Sequence, residues 1–280
     1  MSPAAKSLIL DLLSTLRPGA VMPVGVLVEA GGLFGLSDNN IRVSAARLLA
    51  AGQIARDERG CYRLGERAVP ISRRVRSWRE LDRRTRRWGG GWIGVEVVRS
   101  GRKDGRARGR ALSLMGLAPL RESLWLRPDN LVGSVDAARA ELGSLGLPDA
   151  DLVFAVSNLD PSAERRARKL WNVEELRRSY RDLLADLAAG AERIAGLAVE
   201  DAMVESFLLG GRALRQLLRD PLLPEEICPA TERSRLLEAM RRYDRLGRLA
   251  WAELLKRWGV PYLTAPLDGR IESRRARLAS

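Results

Sequence analysis

The chain has 280 residues, of which 48 are Lys or Arg and 35 are Asp or Glu, so its formal net charge is +13. This length suggests two or three domains, and the apolar content is that of a globular chain. The excess positive charge favours a polyanionic partner without identifying it. The absence of histidine excludes Ser-His-Asp and Cys-His catalysis and every histidine-ligated metal site.

The cysteine content and the hydropathy of the chain further restrict the class of protein to which it can belong. Cys61 and Cys228 are too few and too far apart in sequence for a disulfide framework or a zinc site. A reducing, cytoplasmic compartment fits this usage. The N-terminus lacks a signal-peptide pattern, and no run of about eighteen apolar residues occurs, so we expect no membrane partner. We also expect no metal and no cofactor.

The first 66 residues predict three helices and a β-hairpin. An apolar stripe at helical spacing predicts the first helix: Ile9, Leu12, Leu13 and Leu16. The second helix is predicted to begin near Pro23, to bury Leu27 and Val28, and to end between Gly31 and Gly35.

The third helix is predicted to begin after Ser37, whose hydroxyl can cap it, and to end before Gly52, which suits the position after a C-cap. Its predicted buried face consists of Ile41, Ala45, Leu48 and Leu49. Its opposite face carries Asn39, Asn40, Arg42, Val43 and Arg47. Asn and Arg can hydrogen-bond adenine and guanine edges in a major groove, and the small Ala46 would let the backbone approach.

The runs Gln53–Arg56 and Cys61–Leu64 flank a turn containing Gly60 and predict the hairpin. The hairpin carries three cations: Arg56, Arg59 and Arg63. Three helices followed by a hairpin is the order of a winged helix-turn-helix, in which the third helix reads DNA. A helix followed by a hairpin also occurs in other α+β domains, where surface arginines are simply solvated.

A basic segment follows the hairpin. From Arg67 to Arg110 the sequence has fifteen Lys or Arg against four acidic residues. Ile71–Trp88 predicts a linker helix with Trp78 and Leu81 on one face. Its arginines either solubilise a spacer or contact DNA phosphates, and the candidates for such contacts are Arg73, Arg74, Arg76 and Arg79.

The middle of the chain predicts an α/β sandwich. Three strands are expected, with helices between them: Trp92–Val98, Leu120–Leu126 and Leu152–Val156. Leu117–Pro119 is predicted to be a turn. This order is the split βαβ arrangement of a ferredoxin-like fold, although the pattern shows no fourth strand.

The same segment resembles the small sandwich of the CRISPR-associated Cas2 proteins. The first strand ends Val97-Val98-Arg99 and offers no carboxylate for a hard divalent ion. We therefore expect no nuclease chemistry.

From Ala163 to about Lys256 the chain predicts helices, interrupted at Gly210-Gly211 and by a loop at Asp220–Pro229. The fold class is thus α+β. The expected segments are a winged helix-turn-helix at 1–66, a linker helix at 67–88, a ferredoxin-like domain at 89–160, a helical domain at 161–262 and a tail at 263–280.

Four stretches of the sequence carry a family resemblance: NNIRVSAARLLAAGQI with CYRLG; WGGGWIGVEVV; GLAPLRESLWLRPDNL; and FLLGGRALRQLLRDPLLPEEICPA followed by RRYDRL. In this order they resemble the PaaX-type regulators, repressors of phenylacetic acid degradation. The resemblance implies a homodimer that represses transcription from a double-stranded operator and leaves it when an aryl-CoA thioester such as phenylacetyl-CoA binds. It places operator reading on Asn39, Asn40, Arg42, Val43 and Arg47.

No short motif fixes the effector-binding residues. Chemistry suggests only a pool of cations and aromatics: Arg99, Arg102, Lys103, Arg106, Arg108, Arg110, Trp171 and Tyr180. We expect no catalytic residues. Two alternatives stay open, namely an enzyme acting on CoA thioesters and a general nucleic-acid-binding protein.

Overall fold

The computed structural model describes residues 3–14, 16, 20–57, 59–69, 72, 75, 77–98 and 101–260, without the side chains of residues 102–104 and 107. The described residues form a mixed α+β fold with two antiparallel sheets and a helical C-terminal part, so the coarse fold class is confirmed. None of the described helices combines the length and the apolar character needed to cross a bilayer. The chain divides into two compact units, one of residues 1–74, 190–209 and 242–280, the other of residues 75–189 and 210–241.

The first unit begins with the predicted three helices and hairpin. The helices are α1 (Ala5–Ser14), α2 (Val24–Leu33) and α3 (Asp38–Ala50). The strands are β1 (Met22–Pro23), β2 (Ile54–Arg56) and β3 (Cys61–Leu64), in the order β1-β3-β2. Side chains from every helix and from the hairpin fill one core, including Leu8, Leu12, Leu27, Ile41 and Ile54.

The far end of the chain completes this core. Helices α8 (Val199–Leu217) and α9 (Thr231–Arg257) contribute Met203, Trp251, Leu254 and Leu255 to it. The Phe34 and Phe207 rings meet edge to face with centroids 5.0 Å apart, and Trp258 Nε1 donates to Glu29 Oε1 at 2.6 Å. The core around residues 5–62 is therefore closed by residues about two hundred positions away in sequence.

The second unit contains a four-stranded antiparallel sheet in the order β5-β6-β4-β7. Its strands are β4 (Trp92–Glu96), β5 (Ala118–Pro119), β6 (Leu124–Pro128) and β7 (Leu152–Val156). Helix α4 (Arg102–Leu114) connects β4 to β5, and α5 (Ser134–Ser144) connects β6 to β7.

Two predictions for this sheet were wrong. The turn expected at Leu117–Pro119 contains β5, and the strand expected to begin at Leu120 begins at Leu124. Strand β5 pairs through only two positions, Ala118 with Leu126 and Pro119 with Trp125. A two-residue strand that ends in proline is too short to show alternation, so tertiary pairing decided it.

The predicted linker helix, Ile71–Trp88, differs in form over its second half, whereas Ser72 and Val75, nearer its start, are helical. Within the described residues, Ser77–Arg84 is a 3-10 helix with a bend at Glu80, and Trp88 lies beyond it. Trp78 and Leu81 are buried as expected. Their spacing of three suits a 3-10 helix, in which residues i and i+3 eclipse. Ile71, Arg73, Arg74 and Arg76 lie outside the described residues.

The helical C-terminal part continues with α6 (Pro161–Arg168) and α7 (Val173–Ile194), followed by α8 and α9. Asp160 caps α6, and the N–H groups of Ala163 and Ser162 hold the pKa of its carboxyl below the ordinary range. Helix α8 runs through Gly210-Gly211 without the predicted interruption. Glycine costs a helix only about 1 kcal/mol per residue, which packing of the apolar face can offset.

The loop after α8 is fixed by a buried arginine. Arg127 on β6 is 2% exposed and donates to the Met115 carbonyl, to Asn130 Oδ1 at 3.1 Å and to the Pro221 carbonyl at 3.5 Å. Asn130 Nδ2 donates to the Leu222 carbonyl at 2.7 Å. Burial lowers the pKa of Arg127 to about 10. The DPLLPEEICP stretch is thus bound to the sheet through its backbone.

Candidate nucleic-acid interface

Helix α3 is held at both ends. Ser37 Oγ accepts from the Asn40 N–H at 3.3 Å, as the sequence predicted. At the other end Gly52 has a φ of +66°, and the Gln53 N–H donates to the Leu48 carbonyl at 2.9 Å. Such a C-terminal motif satisfies carbonyls that a helix end would otherwise leave unpaired. The helix therefore presents its side chains from a fixed backbone.

The buried face of α3 is narrower than predicted. Ile41, Ala45 and Leu48 are nearly inaccessible to solvent, whereas Leu49 is 38% exposed. Leu49 is rotated by about 100° from Leu48 and so lies at the edge of the stripe that Ile41, Ala45 and Leu48 define. The prediction that Leu49 is buried was wrong.

The opposite face of α3 is exposed at every predicted position: Asn39, Asn40, Arg42, Val43 and Arg47. Asn40 Oδ1 accepts from Ser44 Oγ at 3.4 Å along the same helix. Neither Arg42 nor Arg47 forms an ion pair with any residue that the structure describes. This face therefore offers two carboxamides and two guanidinium groups to a partner.

The hairpin turn is organised by Asp57. Its Oδ1 accepts from the Arg59 N–H at 3.1 Å and from the Cys61 N–H at 2.8 Å, and Gly60 follows with a φ of +81°. Only glycine adopts such a φ without strain. Arg59 is therefore placed at an exposed tip.

The other two hairpin arginines do not share a face. Arg56 lies opposite Tyr62 and Arg63 lies opposite Ala55 in the strand register. Successive residues of a strand point to opposite sides, so Arg56 and Arg63 point away from each other. The Arg56 guanidinium lies 5.9 Å from the centroid of the Tyr62 ring. The structure therefore separates two cations that the sequence grouped together.

Arg79 is the candidate phosphate contact of the linker segment that lies within the described residues, and it contacts two neighbouring residues. Its guanidinium lies 4.8 Å from the centroid of the Trp78 ring, and its carbonyl accepts from Arg241 Nη2 at 2.6 Å. Arg241 Nη2 also lies 2.9 Å from Asp82 Oδ1.

The residues suggested above as effector contacts do not form one site, because several of them make separate contacts within the fold. Arg108 pairs with Asp151 at 3.0 Å, and Tyr180 donates to Asp220 at 2.6 Å. Trp171 stacks on Trp92 with centroids 6.4 Å apart. Arg106 and Arg110 are exposed, whereas Arg99 and the side chains of Arg102 and Lys103 lie outside the described residues. Arg108, Tyr180 and Trp171 thus already serve the fold.

Three side chains that support this region could not be assigned that role from the sequence. Arg67 Nη1 donates to the Ala51 carbonyl at 3.4 Å and so supports the end of α3. Phe207 and Trp251 support α2 from the C-terminal helices. Helical periodicity indicates that α8 and α9, which carry Phe207 and Trp251, are amphipathic. Periodicity does not identify the surface against which a helix packs.

The chain was compared with known proteins, and the family match falls on this same region. Residues 4–68 match the family model described as PaaX-like protein, which covers α1 to α3 and the hairpin. No curated protein matches the chain. Among solved structures, the chain is similar to uncharacterized protein Rv0674 from Mycobacterium tuberculosis, with 25% identity and a TM-score of 0.58 over 89% of this chain and 99% of that one. Residues 4–68, which carry the candidate interface, are therefore similar to the PaaX-like family.

Proposed function

We propose that this protein is a sequence-specific DNA-binding transcriptional repressor of the PaaX type, with residues 1–66 as a winged helix-turn-helix. The family match indicates a transcription regulator. The observation that carries the finer proposal is the exposed polar face of α3, on a helix capped at both ends. A rigid helix with exposed Asn and Arg side chains has the chemistry to read base edges in a major groove.

The hairpin β2–β3 is the wing in this proposal. Its tip carries Arg59, and its two faces carry Arg56 and Arg63. Cations beside a reading helix contact phosphates, which positions the helix without specifying sequence. Base reading is therefore assigned to Asn39, Asn40, Arg42, Val43 and Arg47, and phosphate contact to the hairpin.

The remainder of the chain is proposed to follow the family architecture. The strand order β5-β6-β4-β7, with α4 and α5 as connections, supports a ferredoxin-like middle domain. We propose that the protein acts in the cytoplasm as a homodimer, which would present two copies of α3 to a two-fold symmetric operator. The proposed effector is an aryl-CoA thioester, supported by the sequence resemblance.

Selection from a random duplex library, followed by gel shift, tests the proposal. We expect one enriched two-fold symmetric sequence, with half-sites about one helical turn apart or a multiple of it. Binding without sequence preference would instead support a general nucleic-acid-binding protein.

The effector is tested on the selected operator with phenylacetyl-CoA, free phenylacetate and free CoA. We expect release by the thioester alone. Strong release requires a differential affinity of several kcal/mol between the two states of the protein. Failure of a broad acyl-CoA panel would remove the effector class, and hydrolysis of the thioester would support the enzymatic alternative.

A further inference from the structure

A cleft of about 310 Å³ lies in the second unit beside the last turns of α8. Six residues line it: Leu176, Arg212, Arg215, Gln216, Arg219 and Asp220. Small-ligand sites begin at about this volume. The sequence pattern alone gives these arginines no role.

Three arginines lie at this end of α8. Arg212 and Arg215 are three positions apart on the helix, the spacing of neighbours on one face. Arg219 lies in the turn after Leu217, the last residue of α8, where its N–H donates to the Gln216 carbonyl at 3.1 Å. Three planar donor forks therefore stand at the edge of one concave surface.

Two of these guanidinium groups, those of Arg215 and Arg219, have no ion-pair partner among the residues that the structure describes. Arg212 pairs with Asp186 at 2.6 Å, but both side chains are about half exposed, at 57% and 49%. Such exposed pairs contribute little to stability, so Arg212 can exchange Asp186 for a ligand.

The carboxylate in the cleft wall is already engaged. Asp220 is 1% exposed at its side chain and accepts from the Tyr180 hydroxyl at 2.6 Å and from the Leu222 N–H at 2.7 Å. Arg233 Nη1 lies 3.8 Å from its Oδ1. Asp220 is therefore already engaged by three donors, while the other charged residues of the lining are cations and Leu176 supplies an apolar wall.

We propose that this cleft binds a small molecule that carries a diphosphate group. A guanidinium fork binds phosphate oxygens bidentately, and two forks one turn apart match two linked phosphates better than one. A concave site with an apolar wall suits a small ligand, whereas a DNA backbone is bound by an open basic surface. This site is independent of the proposed DNA-binding function, because it involves no residue of the α3 interface.

Calorimetric titration of the full chain without DNA tests the site. The probes are inorganic pyrophosphate, ADP and inorganic phosphate at equal ionic strength. We expect pyrophosphate and ADP to bind and phosphate to bind more weakly. The double variant R215Q/R219Q should weaken pyrophosphate binding by about tenfold or more, because removing one charge-assisted hydrogen bond costs at least that factor.

The matched control is R178Q/R235Q, which removes two exposed arginines outside the cleft and changes the net charge equally. It should bind pyrophosphate as the wild type does, and circular dichroism should show both variants folded. Absence of pyrophosphate and ADP binding by the wild type would overturn the proposal. So would equal weakening in the control pair, or an R215Q/R219Q variant that binds the anions normally and loses only duplex DNA.

Discussion

Gly31 and Ile41 hold α2 and α3 together at close range. A Cβ atom on Gly31 would lie 2.6 Å from Ile41 Cγ1 and 2.7 Å from its Cδ1. Real Cβ atoms are essentially never so close to another heavy atom, so a side chain at position 31 would force Ile41 or the backbone to shift. The neighbouring Gly32 has nothing within 4 Å of such an atom. The position of the candidate reading helix therefore depends on one glycine of the preceding helix.

Gly31→Ala should destabilise the protein by about 1–3 kcal/mol, because the added methyl group overpacks a core in which Ile41 is fully buried. Gly32→Ala is the matched control. It should be neutral or stabilising by up to about 1 kcal/mol, since alanine is the better helix former. Urea unfolding of both variants measures the difference, and equal stability of the two would contradict the assigned contact.

Arg42→Ala and Asn39→Ala should weaken operator binding by roughly 1–3 kcal/mol each, the magnitude of a good base contact. Both side chains are exposed, so the unfolding midpoint should not change. Gel shifts on the selected operator and on random duplex provide the test, with Arg178→Ala as a remote control. Equal losses on both DNAs would reassign these residues to phosphate contacts.

Replacing Arg73, Arg74, Arg76 and Arg79 together by Gln should weaken binding to all duplex DNA alike. The slope of log K against log salt should fall by about 0.9 for each phosphate that the variant no longer neutralises. Titrations at four salt concentrations measure the slope. An unchanged slope would mean that this segment serves only as a spacer. Arg79 already contacts the Trp78 ring, which is consistent with a structural role for this residue.

The titration of Asp220 should make the free energy of unfolding depend on pH. Burial raises the pKa of its carboxyl, so the folded protein holds this proton more tightly than the unfolded chain does. The stability that the protonated Asp220 contributes is fully present at acid pH, below the pKa that its carboxyl has in the unfolded chain. This stability is lost as the pH rises through the pKa of the folded state. Asp220→Asn cannot ionise, so its stability relative to the wild type should improve from acid to neutral pH.

Urea unfolding across that pH range provides the measurement for Asp220→Asn. Asp182→Asn, on the exposed side of α7, is the control for the loss of an ordinary surface carboxylate. If the Asp220→Asn and wild-type stabilities run parallel at every pH, Asp220 does not titrate as its burial implies.

Local chemistry in the sequence determined the N-terminal elements. Ser37 and Gly52 marked the ends of α3 because a hydroxyl cap and a left-handed glycine act within a few residues. The spacing of Ile41, Ala45 and Leu48 identified the buried face, and hence the exposed polar one. These features depend on neighbours along the chain, so a single sequence contains them.

Only the tertiary structure determines the elements and contacts that involve residues far apart in the sequence. Strand β5 exists because β6 pairs with it, although Ala118–Pro119 has no strand pattern of its own. Phe207 and Trp251 reach the core of the N-terminal unit from far along the chain. Arg215 and Arg219 become a candidate site because a cleft opens beside them. Periodicity shows that a face is buried or charged, but only the folded chain determines what that face meets.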